Sequence, residues 1–193
     1  MKTKLWVIGA TGFTESLKNP TGLEFLWREL RYLSQPDVIV VTPRAWKDDA
    51  AALARFIARN SDADDCGILF YGHSYGVGEF FKTFSRALKD LGFDIDVAVF
   101  ADGIRRFKFI KLASFKWFHR AVKIRVPDNV ALVHAFHQSN DLILHGHTVI
   151  AEDPSVTEVH MHDQPHHKHT NSDEDASFRK VVIGETQRLI REI

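Results

Sequence analysis

The chain has 193 residues, 45% of them hydrophobic and 26% charged, which is typical of one globular domain and excludes a disordered chain. Twenty-five basic side chains balance twenty-five acidic ones, so the net charge favours neither nucleic acid nor a membrane surface as a partner. Cys66 is the only cysteine, which excludes an internal disulfide and a multi-cysteine metal cluster.

Apolar segments rich in strand-forming residues alternate with helical patterns along the chain. The predicted strands are 4–9, 37–42, 67–71, 96–101 and 129–136, and the predicted helices are 21–33, 48–60, 76–91 and 176–192. Continuous apolar strands separated by helices indicate an α/β fold, a doubly wound, mostly parallel sheet of about five to six strands, within a single domain, 1–193. Ligands of such sheets bind beyond the carboxyl ends of the strands, so the residues after each strand are the candidate site residues.

The third predicted strand is followed at once by a G-x-S-x-G sequence and then by a helix. The motif reads Gly72-His73-Ser74-Tyr75-Gly76. A serine on such a tight strand–turn–helix bend points its hydroxyl into the cleft, and the helix behind it aims backbone N–H groups at developing negative charge. Ser74 is therefore the candidate nucleophile, and the Tyr75 N–H is a candidate donor to an oxyanion.

With this motif and its late acidic and histidine residues, the sequence resembles the α/β-hydrolase superfamily, in a minimal form like its small esterases and lipases but without the leading strands of larger members. The resemblance implies a catalytic triad in the order serine, acid, histidine. A base is then expected between the last strand and the final helix, where His166-His167-Lys168-His169 lies. We favour His169, which is followed by Thr170 and an acidic stretch, and keep His166 and His167 as alternatives.

Two aspartates compete for the role of the acid. Asp141 lies just after the fifth predicted strand, the usual acid position in the superfamily, and is preferred. Asp102 directly follows the fourth predicted strand, a position that some members, including certain thioesterases, use instead. Whichever of the two is not the acid is expected to be a turn-forming aspartate.

A second oxyanion donor is expected from the loop after the first strand, from the backbone N–H of Ala10 or Thr11. The same stretch, Gly9-Ala-Thr-Gly-Phe13, also resembles the nucleotide-binding loop of extended short-chain dehydrogenases. That loop needs a third glycine near position 15, where this chain has Glu15, whose charge would face the pyrophosphate. The dinucleotide interpretation is therefore disfavoured.

The segment 105–125 carries eight Lys or Arg residues, five Phe or Trp residues and no carboxylate. One interpretation is a lid, residues 105–126, that lines an acyl pocket or docks on an anionic lipid surface. The other is an amphipathic helix that covers the sheet and leaves its charges in solvent, namely Lys108, Lys111, Lys116, Arg120 and Lys123.

Nine of the eleven histidines lie between His134 and His169. The pairs His145-Gly-His147 and His160-Met-His162 would each place two imidazoles on one face of an extended segment, so a metal site must be considered. A structural zinc site needs four ligands, an all-histidine set would be unusual, and no H-E-x-x-H motif is present. We therefore expect these pairs to be polar faces of strands, and we predict neither a metal nor a cofactor.

These observations predict a serine hydrolase that cleaves a small-molecule carboxylic ester or thioester. No apolar run is long enough for a bilayer span or a signal peptide, so cytoplasmic residence is expected. Nucleic acid is not expected as a partner. A peripheral contact with a lipid surface through 105–125 is compatible with the sequence. The alternative is a non-catalytic binding protein of the same fold, which holds a metal with its histidines or a lipid or partner with its basic aromatic segment.

Overall fold

The computed structural model describes residues 2–12, 22–104, 122–138 and 146–193. Within these ranges the main sheet has seven strands, and all pairings between them are parallel. They are β1 (Lys4–Thr11), β2 (Val38–Val40), β3 (Arg44–Ala45), β4 (Cys66–His73), β5 (Ile95–Ala101), β7 (Val130–His137) and β9 (Glu158–Asp163). Six follow one another in the order β2-β1-β4-β5-β7-β9, and β3 pairs with β1 beyond the end of β2.

Helices cover both faces of this sheet. They are α1 (Gly22–Leu30), α2 (Ala50–Asn60), α3 (Lys82–Asp90) and α4 (Ala176–Ile190). The helices α2 and α3 bury one sheet face, and α1 and α4 bury the other. Strands with apolar side chains on both faces need cover on both, so the doubly wound α/β class predicted from the sequence is confirmed.

Local capping explains where two of the helices begin. The carboxylate of Asp49 accepts the N–H of Ala52 at 2.8 Å at the start of α2, and that of Asp175 accepts the N–H of Phe178 at 3.1 Å at the start of α4. Both caps satisfy N–H groups that the first helical turn leaves without a partner and place negative charge at the positive end of the helix dipole.

The face between the sheet and helices α2 and α3 is unusually rich in phenylalanine. The ring of Phe70 on β4 lies between 4.7 and 6.4 Å from four other phenylalanine rings, measured between centroids. These partners are Phe80, Phe81, Phe84 and Phe100. This aromatic cluster packs directly behind the strand that carries the G-x-S-x-G motif.

A separate pair of parallel strands was not predicted. It consists of β6 (Lys123–Val126) and β8 (Thr148–Ala151). Lys123 therefore lies in a strand and not in the amphipathic helix to which its spacing assigned it. The rest of the proposed lid or helix, 105–121, lies outside the described residues.

The histidine pair His160-Met-His162 lies in β9, the edge strand of the main sheet, as expected for a polar strand face. Among the helices of the described ranges, none combines the length and apolar character that a membrane crossing requires.

Candidate active site

Ser74 and Asp102 follow neighbouring strands of the sheet, β4 and β5, and both have a positive φ angle, 54° and 44° respectively. A left-handed backbone is costly for any residue with a Cβ, by about 1–2 kcal/mol, and such residues concentrate at functional sites. Backbone hydrogen bonds join the two bends. The N–H of Ser74 donates to the Ala101 carbonyl at 3.1 Å, and the N–H of Ile104 donates to the Ser74 carbonyl at 3.0 Å.

The backbone after Ser74 packs so closely against β1 that the last motif glycine, Gly76, has no room for a side chain. A π-helical turn, Gly76–Phe81, leads from the motif into α3. A Cβ on Gly76 would overlap the carbonyl group of Ala10 in β1. The motif glycine therefore allows the helix to start against the neighbouring strand, which turns Ser74 toward the carboxyl edge of the sheet.

His169 connects the serine with the aspartate. Its Nε2 lies 2.9 Å from Ser74 Oγ, and its Nδ1 lies 2.6 Å from Asp102 Oδ2. All three residues are buried, with exposed fractions of 4% for Ser74, 6% for His169 and 1% for Asp102. Because the carboxylate can only accept, Nδ1 carries the proton, which leaves Nε2 free to accept the serine hydroxyl proton.

The loop that carries His169 is held by contacts on both sides. The Nε2–H of His73 donates to the His169 carbonyl at 2.7 Å, and the two imidazole rings lie 4.9 Å apart between centroids. Farther along, Asp173 Oδ2 accepts the N–H of Leu23 at 3.1 Å, so the first turn of α1 anchors the same loop. The position of the imidazole thus depends on segments that are far apart in the chain.

The carboxylate of Asp102 is surrounded by donors. Its Oδ1 accepts the N–H of Gly146 at 2.7 Å, and its Oδ2 accepts the Gln138 side-chain amide at 3.0 Å as well as His169. His137 Nδ1 lies 3.6 Å from Oδ1, slightly beyond hydrogen-bond distance, and this ring also helps to lower the pKa of Asp102. Burial by itself raises the pKa of Asp102, but these neighbours outweigh it and hold the pKa well below its usual range. Asp102 is therefore ionised at neutral pH.

The two alternative bases predicted from the sequence do not meet Ser74. His167 faces away from the serine, since its Nε2 lies 2.8 Å from Asp175 Oδ2 and its Nδ1 lies 3.1 Å from the Asn171 carbonyl. His166 is exposed. Asp141, the acid preferred on the sequence, lies outside the described residues, and the carboxylate that meets His169 is that of Asp102.

The three predicted oxyanion donors come from two segments, the residue after Ser74 and the end of β1. Tyr75 follows it directly, is half-buried and packs its ring 5.4 Å from that of Trp46. Ala10 and Thr11 are the last two residues of β1, and the next residue, Gly12, lies against the serine. A Cβ on Gly12 would come within 2.8 Å of Ser74 Cβ.

A second group of histidines lies on the sheet face that α4 covers, away from Ser74. His134 Nδ1 lies 3.0 Å from His162 Nε2, and His134 Nε2 lies 3.8 Å from Glu185 Oε1. Burial lowers the pKa of both His134 and His162, which favours their neutral forms. Among the described residues, no group of three or more histidine, cysteine or carboxylate side chains is arranged to hold a metal ion.

Two polar residues of the site had no role in the sequence analysis. Gln138 follows β7 at the carboxyl edge of the sheet, so the rule about strand ends could have identified it. His73 occupies a variable position of the G-x-S-x-G motif, where the pattern specifies no residue type and gives no signal.

Comparison with known proteins adds one finding on the fold. No protein-family model matches the chain, and no curated protein matches it. Among solved structures, ClbQ from the colibactin NRPS/PKS pathway is similar, with a TM-score of 0.51 and 13% identity over 97% of this chain and 98% of that chain. A likeness at this level of identity supports the α/β architecture with a mostly parallel central sheet and flanking helices.

Proposed function

We propose that this protein is a serine hydrolase of the α/β-hydrolase type that cleaves a carboxylic ester or thioester through an acyl-enzyme. The proposal rests on one observation, the continuous chain of contacts from Ser74 Oγ to His169 Nε2 and from His169 Nδ1 to Asp102 Oδ2. The order of these residues in the sequence is serine, acid, histidine. The α/β fold shared with ClbQ, a protein of the colibactin NRPS/PKS pathway, is compatible with it.

Each residue has a defined role in the proposed reaction. His169 Nε2 takes the hydroxyl proton of Ser74 while Oγ attacks the carbonyl carbon of the substrate, which forms a tetrahedral oxyanion. The backbone N–H of Tyr75, with that of Ala10 or Thr11, stabilises this oxyanion. His169 then passes the proton to the departing alcohol or thiol, and an acyl ester on Ser74 remains.

Water completes the cycle by the same route. His169 removes a proton from the water molecule as it attacks the acyl ester, and it returns that proton to Ser74 Oγ as the carboxylic acid leaves. Asp102 keeps the Nδ1 proton in place and stabilises each imidazolium by its negative charge. Because neighbouring donors lower its pKa, Asp102 does not itself take up the proton.

A fluorophosphonate probe tests the nucleophile. We expect stoichiometric labelling of the wild-type protein and complete loss of labelling in Ser74→Ala. A matched control is Ser85→Ala, which removes another buried serine whose Oγ bonds to the Lys82 carbonyl in α3. Labelling that persists in Ser74→Ala would refute the mechanism, and an unlabelled wild-type protein would favour the non-catalytic binding protein.

Turnover assays distinguish the two substrate classes. The purified protein is supplied with p-nitrophenyl esters of increasing acyl length and with thioesters of the same acyl groups. We expect hydrolysis of at least one series, and the ratio of kcat/KM between matched ester and thioester identifies the preferred leaving group.

A further inference from the structure

The side-chain amide of Gln138, at the carboxyl end of β7, contacts the carboxylate of Asp102. Gln138 is the first residue after this strand and is completely buried. Its Nε2 lies 3.0 Å from Asp102 Oδ2, the same oxygen that accepts Nδ1–H of His169 at 2.6 Å. Since a carboxylate oxygen only accepts, the NH₂ end of the amide must be the end that faces Asp102.

We propose that Gln138 is a positioning residue of this active site, which fixes the plane of the Asp102 carboxylate and thereby orients His169 toward Ser74. This inference rests on the proposed hydrolase function. In this proposal, Gln138 at the end of β7 holds Asp102, which follows the end of β5.

The geometry explains why an anchor is needed on this oxygen. The terminal torsion of an aspartate is broad, so one hydrogen bond leaves the carboxylate free to rotate about it. Oδ1 accepts the N–H of Gly146 at 2.7 Å and faces the backbone N–H of Gln138 at 3.5 Å, and both contacts are independent of the Gln138 side chain. The side-chain amide of Gln138 is the group that holds Oδ2 from a second segment of the chain. With both oxygens anchored, Oδ2 is kept 2.6 Å from Nδ1 of His169.

Gln138 also acts on the charge of the acid. An N–H donor stabilises the ionised form of a carboxylate, and Gln138 is one of the groups that keep the pKa of Asp102 low. Because burial opposes ionisation at this site, loss of the amide would remove both the orientation of Asp102 and part of the support for its charge.

Removal of the amide should slow the chemical step and leave substrate binding unchanged. For Gln138→Ala we expect kcat to fall by about 10- to 100-fold, the range that follows from a small misplacement of reacting groups. KM should stay near the wild-type value, because in our proposal Gln138 contacts Asp102 and not the substrate.

The isosteric variant Gln138→Glu distinguishes a role of the amide hydrogen bond to Asp102 from a role of the side-chain volume alone. When the introduced carboxyl is ionised, it adds negative charge beside the His169–Asp102 pair and favours the imidazolium. The acid limb of the kcat/KM profile should therefore move to higher pH by about 1 unit. Because an ionised carboxylate has no proton to donate to Asp102, this variant loses the hydrogen bond to Oδ2 without leaving a cavity, so it tests the proposal even if Gln138→Ala does not fold.

Asn129 provides the matched control at the opposite end of the same strand. It is a buried amide directly before β7, and its Nδ2 donates to the carbonyls of Ser85 at 3.1 Å and Phe93 at 3.0 Å. Asn129→Asp makes the same chemical change as Gln138→Glu, away from Asp102. We expect it to lower the thermal midpoint and to leave the acid limb of the profile where it is in the wild type.

A measurement independent of turnover completes the test. The Nδ1 proton of His169, shared with Asp102, is followed by NMR on protein with ¹⁵N-labelled histidine. We expect its downfield signal to disappear or move in both Gln138 variants and to be retained in Asn129→Asp.

These readouts keep the two hypotheses apart. Wild-type protein that neither reacts with the fluorophosphonate nor hydrolyses an ester contradicts the proposed function, and the NMR signal then still decides whether Gln138 orients His169. Gln138 variants with wild-type kcat, pH profile and Nδ1 signal would overturn the inference. An equal shift of the acid limb in Asn129→Asp would overturn it too, since the effect would then be one of general destabilisation.

Discussion

The variant Asp102→Asn tests the assignment of the acid most directly. It keeps the shape of a side chain that is 1% exposed and removes only its charge. The amide oxygen would take the place of Oδ2, where it can still accept Nδ1–H of His169. Its NH₂ group would then face the N–H of Gly146, which lies 2.7 Å from Oδ1, so one donor would meet another.

The size of the effect follows from the separation of the charges. Nδ1 of His169 lies 2.6 Å from Asp102 Oδ2, which puts the centres of imidazolium and carboxylate about 4 Å apart. At an effective dielectric constant of about 20 this attraction amounts to about 4 kcal/mol. Because each 1.36 kcal/mol corresponds to a factor of ten in rate, kcat should fall by about 10³-fold.

Steady-state hydrolysis of the best p-nitrophenyl ester measures this loss, and Asp141→Asn is the matched control. We expect Asp141→Asn to retain nearly the full kcat. The reasoning would be refuted by an Asp102→Asn enzyme that keeps more than about a tenth of the wild-type kcat, or by a drop of about 10³-fold in Asp141→Asn.

Two further predictions concern stability. Phe70→Ala should lower the free energy of unfolding by about 3–5 kcal/mol, because it empties the centre of the aromatic cluster, whereas Phe25→Ala, at a ring that is 46% exposed, should cost far less in the same denaturant titration. Equal losses would contradict the packing argument. Burial lowers the pKa of His134 and His162 from 6.5, so the unfolded chain binds protons that the folded chain does not. The stabilising contribution of these histidines should therefore be fully present above pH 6.5 and be lost as the pH falls through their pKa values in the folded protein. A His134→Gln variant whose thermal midpoint falls with acid as steeply as that of the wild type would contradict this account.

Sequence reasoning works where local pattern and physical environment coincide. The five apolar segments are strands because parallel strands bury both faces, and that requirement leaves a continuous hydrophobic run in the sequence. The edge strand β9 has four polar residues among six, and β6 and β8 have only four residues each, so none of them produces such a run. Their pairing depends on partners distant in the chain, which a local pattern does not contain.

The same distinction applies to the candidate site. Ser74 is identifiable in the sequence because the strand, the glycines and the helix around it are all local, and His169 because its loop lies between the last strand and the final helix. The acid is different. Asp102 and Asp141 each follow a predicted strand, and only the packing of neighbouring strand ends determines which carboxylate faces the histidine loop.

The tertiary structure decides this through long-range contacts. Backbone hydrogen bonds tie the Ser74 bend to the Asp102 bend, the first turn of α1 anchors the histidine loop, and Gln138 reaches Asp102 from β7. The sequence alone determines the candidate nucleophile, the alternation of strands and helices, and the edge of the sheet where a site is expected. The identity of the carboxylate next to His169 and the amide that holds it follow only from the fold, because both depend on distances between residues far apart in the chain.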